Sequence, residues 1–147
     1  MSEERARALG LRPRAWFRSF AVVGDDPLLM LTGVIPATQQ ALDRAGLTVD
    51  DIDAFEVNEA FAPVPSVWQR EMQAAPEKVN PRGGAIALGH ALGSSGTRLL
   101  TTMLNTLEQS GGAFGLQTGC EGGGLANAML VERLTSQPWI RGVRSQP

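Results

Sequence analysis

The chain of 147 residues has one histidine, His90, and one cysteine, Cys120, and each lies in a glycine-dense stretch. The first stretch runs Gly83-Gly84-Ala85-Ile86-Ala87-Leu88-Gly89-His90-Ala91-Leu92-Gly93-Ser94-Ser95-Gly96, and the second runs Gly119-Cys120-Glu121-Gly122-Gly123-Gly124. Residues 83–96 and 111–124 carry 12 of the 17 glycines. Glycine lets a backbone turn tightly and approach a ligand closely, at an entropic cost. Concentrating that cost around the single His and single Cys marks a candidate site. A thiol beside an imidazole can act as nucleophile or base once its pKa falls. Glycine N–H groups can serve as oxyanion donors. His90 also precedes the clearest helix of the chain, whose N-terminal N–H groups and dipole favour a nearby anion. The plain alternatives are a histidine that caps a turn and an inert buried cysteine. The Gly89–Gly96 stretch lacks the Gly-Lys-Ser/Thr ending of a phosphate-binding loop. Asn58-Glu59 falls at a strand-to-helix junction, where an Asn taken alone reads as a turn residue or cap.

The elements that must position these residues are legible from patterning. Residues 3–9 read as a short charged helix between a Ser2 cap and Gly10. Residues 14–23 read as a strand, followed by the loop Gly24-Asp25-Asp26-Pro27. A helix runs from Pro36 to Ala45, with Ala37, Ala41, Leu42 and Ala45 on one face and Gly46 as its stop. Ala54-Phe55-Glu56-Val57 is a short strand. A helix to about residue 73 carries Val64, Val67, Trp68 and Met72 on its apolar side, with Pro63 and Pro65 tolerable only in its first turn. Residues 94–109 form the clearest helix, apolar at Leu99, Leu100, Met103, Leu104 and Leu107 and polar at Thr101, Thr102, Asn105 and Thr106. Residues 111–118 and 125–134 read as an antiparallel strand pair joined by the Cys120 loop. Trp16, Trp68 and Trp139 read as packing residues or surface anchors. Alternating strands and helices give an α/β class with a mixed sheet covered by helices.

Composition narrows the function. The length suits one domain. A hydrophobic content of 43% and a charged content of 19% are those of an ordinary globular chain. A formal net charge of −2 gives no electrostatic reason to bind nucleic acid or an anionic membrane. One cysteine cannot close an internal disulfide, which suits the reducing cytoplasm. No stretch approaches a membrane span, and the first residues lack the apolar core of a signal peptide. One His and one Cys cannot make a zinc site without several carboxylates or a second chain, so no metal or bound cofactor is expected.

Taken together, the segments resemble the C-terminal half of the thiolase family, which includes acetyl-CoA acetyltransferases and 3-ketoacyl-CoA thiolases. Asn58-Glu59-Ala60-Phe61-Ala62 is similar to its Asn-Glu-Ala-Phe motif. Val79-Asn80 with Gly83 to His90 is similar to its Gly-His-Pro block, and Cys120-Glu121-Gly122-Gly123-Gly124 to its Cys-x-Gly block. Pro36-Ala37 to Gly46-Leu47 resembles the preceding helix. The resemblance covers residues 1–134, leaving 135–147 as a tail, and implies a mixed five-stranded sheet.

The family cleaves 3-ketoacyl-CoA by thiolysis, or runs the reverse Claisen condensation, so acyl-CoA is the implied substrate and CoA is not a resident cofactor. The resemblance implies four roles. His90 activates the nucleophilic cysteine and lines an oxyanion hole. Asn58 holds a water in that hole. Cys120 moves the α-proton of the acetyl unit, and the Gly122 N–H stabilises the second oxyanion. A carbanion next to a thioester needs such a base and such donors.

This sequence departs from the pattern twice. Ala91 stands where the family has a proline. The chemistry needs two cysteines, and the nucleophile belongs to the family's N-terminal half. The chain therefore reads as a split, truncated or separately encoded half, inactive alone, whose partner is a separate N-terminal half or a second copy. The face of residues 94–109 would then be under-covered and prone to self-association. Two other readings stay open. One is a non-catalytic thiolase-like subunit or binder of acyl or sterol ligands. The other is a small hydrolase using Cys120 and His90 directly.

Overall fold

The computed structural model describes residues 1–135. Trp139 and almost all of the expected tail lie outside the described residues. The elements are α1 (Glu3–Ala8), β1 (Ala15–Gly24), α2 (Val34–Ala45), β2 (Ala54–Val57), α3 (Pro63–Met72), α4 (Ala85–Leu88), α5 (Ser95–Ser110), β3 (Phe114–Glu121) and β4 (Leu125–Arg133). One sheet has the order β1-β4-β3-β2. Its β1–β4 and β4–β3 pairs are antiparallel, and β3–β2 is parallel.

Helices cover both faces of the sheet. On one side, α2 and α3 bring Ala37, Ala41, Leu42 and Trp68 against Phe55, Val57, Leu116 and Leu130. Trp68 is fully buried, stands edge-on to Phe55 at 5.1 Å between ring centroids, and donates its indole N–H to Thr38 Oγ1 at 2.9 Å. That bond satisfies the one polar atom the ring carries inward. On the other side, α5 seats Met103 and Leu107 on Ala54 and Val131. Pro63 and Pro65 fall in the first turn of α3, where a missing N–H costs nothing.

The sheet has four strands among the described residues, one fewer than expected. The segment closest to a fifth strand is Val79, which makes a single parallel bridge to Phe55. It cannot extend. Pro76-Glu77-Lys78 is a 3-10 turn, Asn80 has φ +46°, and Pro81 has no N–H to give. The Asn80 side chain finishes the edge instead. Its Oδ1 accepts from the Val57 N–H at 2.8 Å, and its Nδ2 donates to the Val57 carbonyl at 3.0 Å.

Three other expectations shift. β3 continues through Glu121, so Cys120 is a strand residue opposite Ala126 and not a loop residue. Ala85–Leu88, which holds good helix formers between glycines, closes one helical turn. The apolar face of α5 is covered by its own sheet, with Leu99, Met103 and Leu107 buried, and even Thr106 on its polar side is buried. One stretch of uncovered apolar surface falls on β1. Ser19 and Ala21 of that strand are buried against α2, while Phe17, Phe20 and Val22 are 51%, 53% and 71% exposed. A bulge at Arg18 lets Phe17 and Phe20 lie together, with ring centroids 5.0 Å apart.

Candidate active site

β2 and β3 run parallel, and their carboxyl ends open on the same side of the sheet. In mixed α/β sheets that end is where ligands bind. A cavity of about 530 Å³ lies there. Asn58, His90, Cys120 and Gly122 all line it, with Ser95, Gln117 and Gly119 between them and Met30, Phe61 and Leu92 at its apolar side. The four residues singled out from the sequence, spread over 65 positions of chain, thus share one space.

Asn58 is the first residue beyond β2. Its N–H donates to the Thr118 carbonyl at 2.9 Å, which carries the ladder one step past the strand. The side chain is buried, and its Oδ1 has no hydrogen-bond partner among the described residues. Glu59 ties this segment to the first glycine stretch. One carboxylate oxygen accepts from Asn80 Nδ2 at 2.9 Å, and the other accepts from the Ile86 N–H at 2.8 Å. Gly84 makes that contact possible, because a Cβ there would collide with the Glu59 carboxylate. The Asn-Glu pair and the glycines before His90 are therefore one clasped unit.

His90 stands at the exposed rim of the cavity, after α4. Its Nδ1 lies 2.7 Å from Ser95 Oγ, and Ser95 Oγ donates to the Ala91 carbonyl at 2.9 Å. A hydroxyl has one proton to give. With that proton committed to Ala91, Nδ1 must be the donor to Ser95. Nε2 is then the lone-pair nitrogen, as a general base requires.

Cys120 is half-buried. Burial pushes its thiol pKa up, and the Glu121 carboxylate adds to that, against an opposing backbone hydrogen bond. A raised thiol keeps its proton at neutral pH, the reverse of a resting thiolate nucleophile. It is a group with a proton to hand over. Gly122 opens the turn between β3 and β4, with open space where a side chain would be. The turn is held in place at Gly124, whose carbonyl accepts from the Asp25 N–H at 2.8 Å. A Cβ on Gly124 would lie 2.8 Å from the Asp25 carbonyl oxygen.

Sequence reasoning did not find Ser95, Glu59 or Asn80, which orient the site from behind. Ser95 had a signal, as a hydroxyl at the start of the helix that follows His90. Glu59 and Asn80 stood out only as members of two of the motifs, and nothing in the sequence pointed to the contact that joins them across 21 residues. Among the described residues, no group of three or more His, Cys, Asp or Glu side chains is placed to hold a metal ion.

The architecture is that of a thiolase-like α/β domain. It superimposes on the acetyl-CoA acetyltransferase of Bacillus anthracis with a TM-score of 0.87 and 36% identity, over 91% of this chain and 34% of that one. The chain belongs to the thiolase family, matching its C-terminal domain over residues 11–133. It is 58% identical over 133 residues to the steroid 3-ketoacyl-CoA thiolase FadA6 of Mycobacterium tuberculosis, covering 90% of this chain and 33% of that protein. It is 53% identical over 137 residues to a 3-ketoacyl-CoA thiolase of Alcanivorax borkumensis, covering 91% and 35%. The chain spans about a third of the length of the curated relatives it matches. No helix among the described residues is long and apolar enough to cross a membrane.

Proposed function

We propose that this chain supplies the proton-moving and oxyanion-binding walls of a thiolase-type acyl-CoA acyltransferase, and that the covalent nucleophile comes from another polypeptide segment. The observation that carries this reading is the convergence of Asn58, His90, Cys120 and Gly122 on one cavity, in a chain with a single cysteine. In this reading, His90 Nε2 takes the proton of the external nucleophilic cysteine as it attacks the keto carbon of a 3-ketoacyl-CoA. The carbon–carbon bond breaks, leaving the acyl group on that cysteine and an acetyl-CoA enolate, and the thiol of free CoA then takes the acyl group as acyl-CoA and returns the cysteine. Cys120 protonates the α-carbon of the enolate, and in the condensing direction its thiolate removes that proton. The Asn58 amide, through a water, and the Gly122 N–H hold the oxyanions. The raised thiol of Cys120 suits a proton donor and disfavours the rival in which it is itself acylated.

The test is reconstitution with a thiolase N-terminal half that carries the nucleophilic cysteine. A steroid 3-ketoacyl-CoA, the class in one relative's name, and acetoacetyl-CoA are the first substrates. Turnover should appear on mixing, and Cys120→Ala should lower it by about 10²–10⁴-fold, as expected for loss of a positioned acid/base. Turnover unchanged by Cys120→Ala contradicts the reading.

A further inference from the structure

Behind the cavity lies a group the chemistry above does not use. Glu56 is a fully buried carboxylate in β2, and neither of its oxygens has a hydrogen-bond partner among the described residues. It shares the α5-facing side of the strand with Ala54, and alternation puts Asn58 on that side two residues further on. Its register partner on β3 is Gln117, which borders the cavity. From α5, Arg98 exerts its charge on Glu56. Among the described residues, seven buried side-chain polar atoms lack a partner, and six belong to these four residues: both oxygens of Glu56, both terminal nitrogens of Arg98, Asn58 Oδ1 and Gln117 Oε1. Donors and acceptors are both present, so small movements or bridging waters satisfy them together, and buried polar groups are seldom left otherwise.

We propose that Glu56 is a positioning residue. With Arg98 and Gln117 it forms a buried, water-bridged polar floor that holds Asn58 Oδ1 from behind, leaving the Asn58 NH₂ to donate into the cavity. This deepens the reading of Asn58 as the water-holding amide and rests on it for its functional meaning. The charged groups acting on Glu56 are Arg98, which favours its ionised form, and Glu59 beyond β2, which opposes it, while β3 presents the uncharged Gln117. Burial outweighs the cation and raises the Glu56 carboxyl to about 7. The floor therefore changes protonation near neutral pH, and Asn58 should register the change.

The experiment follows the Glu56 carboxyl carbon and the Asn58 and Gln117 side-chain amides of the labelled full chain by NMR from pH 5 to 9. All three should titrate with one midpoint near pH 7. In Glu56→Gln the Asn58 titration should vanish, and in Arg98→Met the Glu56 midpoint should rise. A Glu56 carboxyl ionised throughout, an Asn58 amide indifferent to Glu56, or a titration of Asn58 that survives Glu56→Gln overturns the proposal. If Glu56→Gln does not fold, the wild-type curves and Arg98→Met decide. No turnover enters the readout, so failure of the acyltransferase assay and failure of this proposal are separate results.

Discussion

β1 and β2 are the two edge strands of one sheet, and they invert the usual arrangement. All four residues of β2 are buried, a carboxylate among them, because α3 and α5 clad its faces and Asn80 closes its outer edge. β1 is the longest strand, at ten residues, and leaves two phenylalanines and a valine in solvent. A self-contained domain would bury the aromatics and expose the charge. Here the polar burial lies behind the cavity, and the apolar exposure lies where another layer of protein can pack. Both features fit a domain with a further layer of protein packed on β1.

Three perturbations break or sharpen this contrast. Phe55→Ala, in β2, removes a fully buried ring packed on Trp68 and should cost about 3–5 kcal/mol in urea unfolding. Next, raising the pH through neutrality should weaken the fold at β2. The Glu56 carboxyl rises from 4.5 to about 7 on folding, so the folded state binds its proton more tightly than the unfolded chain does. Its stabilising contribution is complete below about pH 4.5 and is lost as pH climbs through 7. The loss amounts to at most about 3 kcal/mol. Unfolding of Glu56→Gln should lack this component between pH 5 and 8. The smallest effect on folding belongs to β1, where Phe20→Ser should change stability by within about 0.5 kcal/mol while lowering self-association seen by sedimentation. A cost like that of Phe55→Ala would mean β1 is core after all.

The same contrast explains what could be read in advance. The helix faces were legible because apolar residues recur at helical spacing and are buried where expected, as at Leu99, Met103 and Leu107. The three motifs carried the candidate residues, and one cavity gathers them. The strand count was not legible. Val79 is extended, but a positive φ at Asn80 stops it, and φ is a property of the folded loop. The place of Cys120 was missed because glycines at 119 and 122–124 look like a loop on both sides, while cross-strand pairing with Ala126 carries the strand through. β1 carries apolar residues on both faces, so its pattern could not say which face a helix would cover. Glu59, Asn80 and Arg98 act through tertiary contacts that no local pattern encodes.

The central claim is that Cys120 and His90 are walls of a site whose nucleophile lies outside this chain. The direct test is to incubate the purified chain, without an N-terminal partner, with acetoacetyl-CoA and free CoA, following cleavage and examining Cys120 by mass spectrometry. On this claim, no robust turnover and an unmodified Cys120 are expected. Sustained cleavage without a partner, or an acyl group on Cys120, would contradict it.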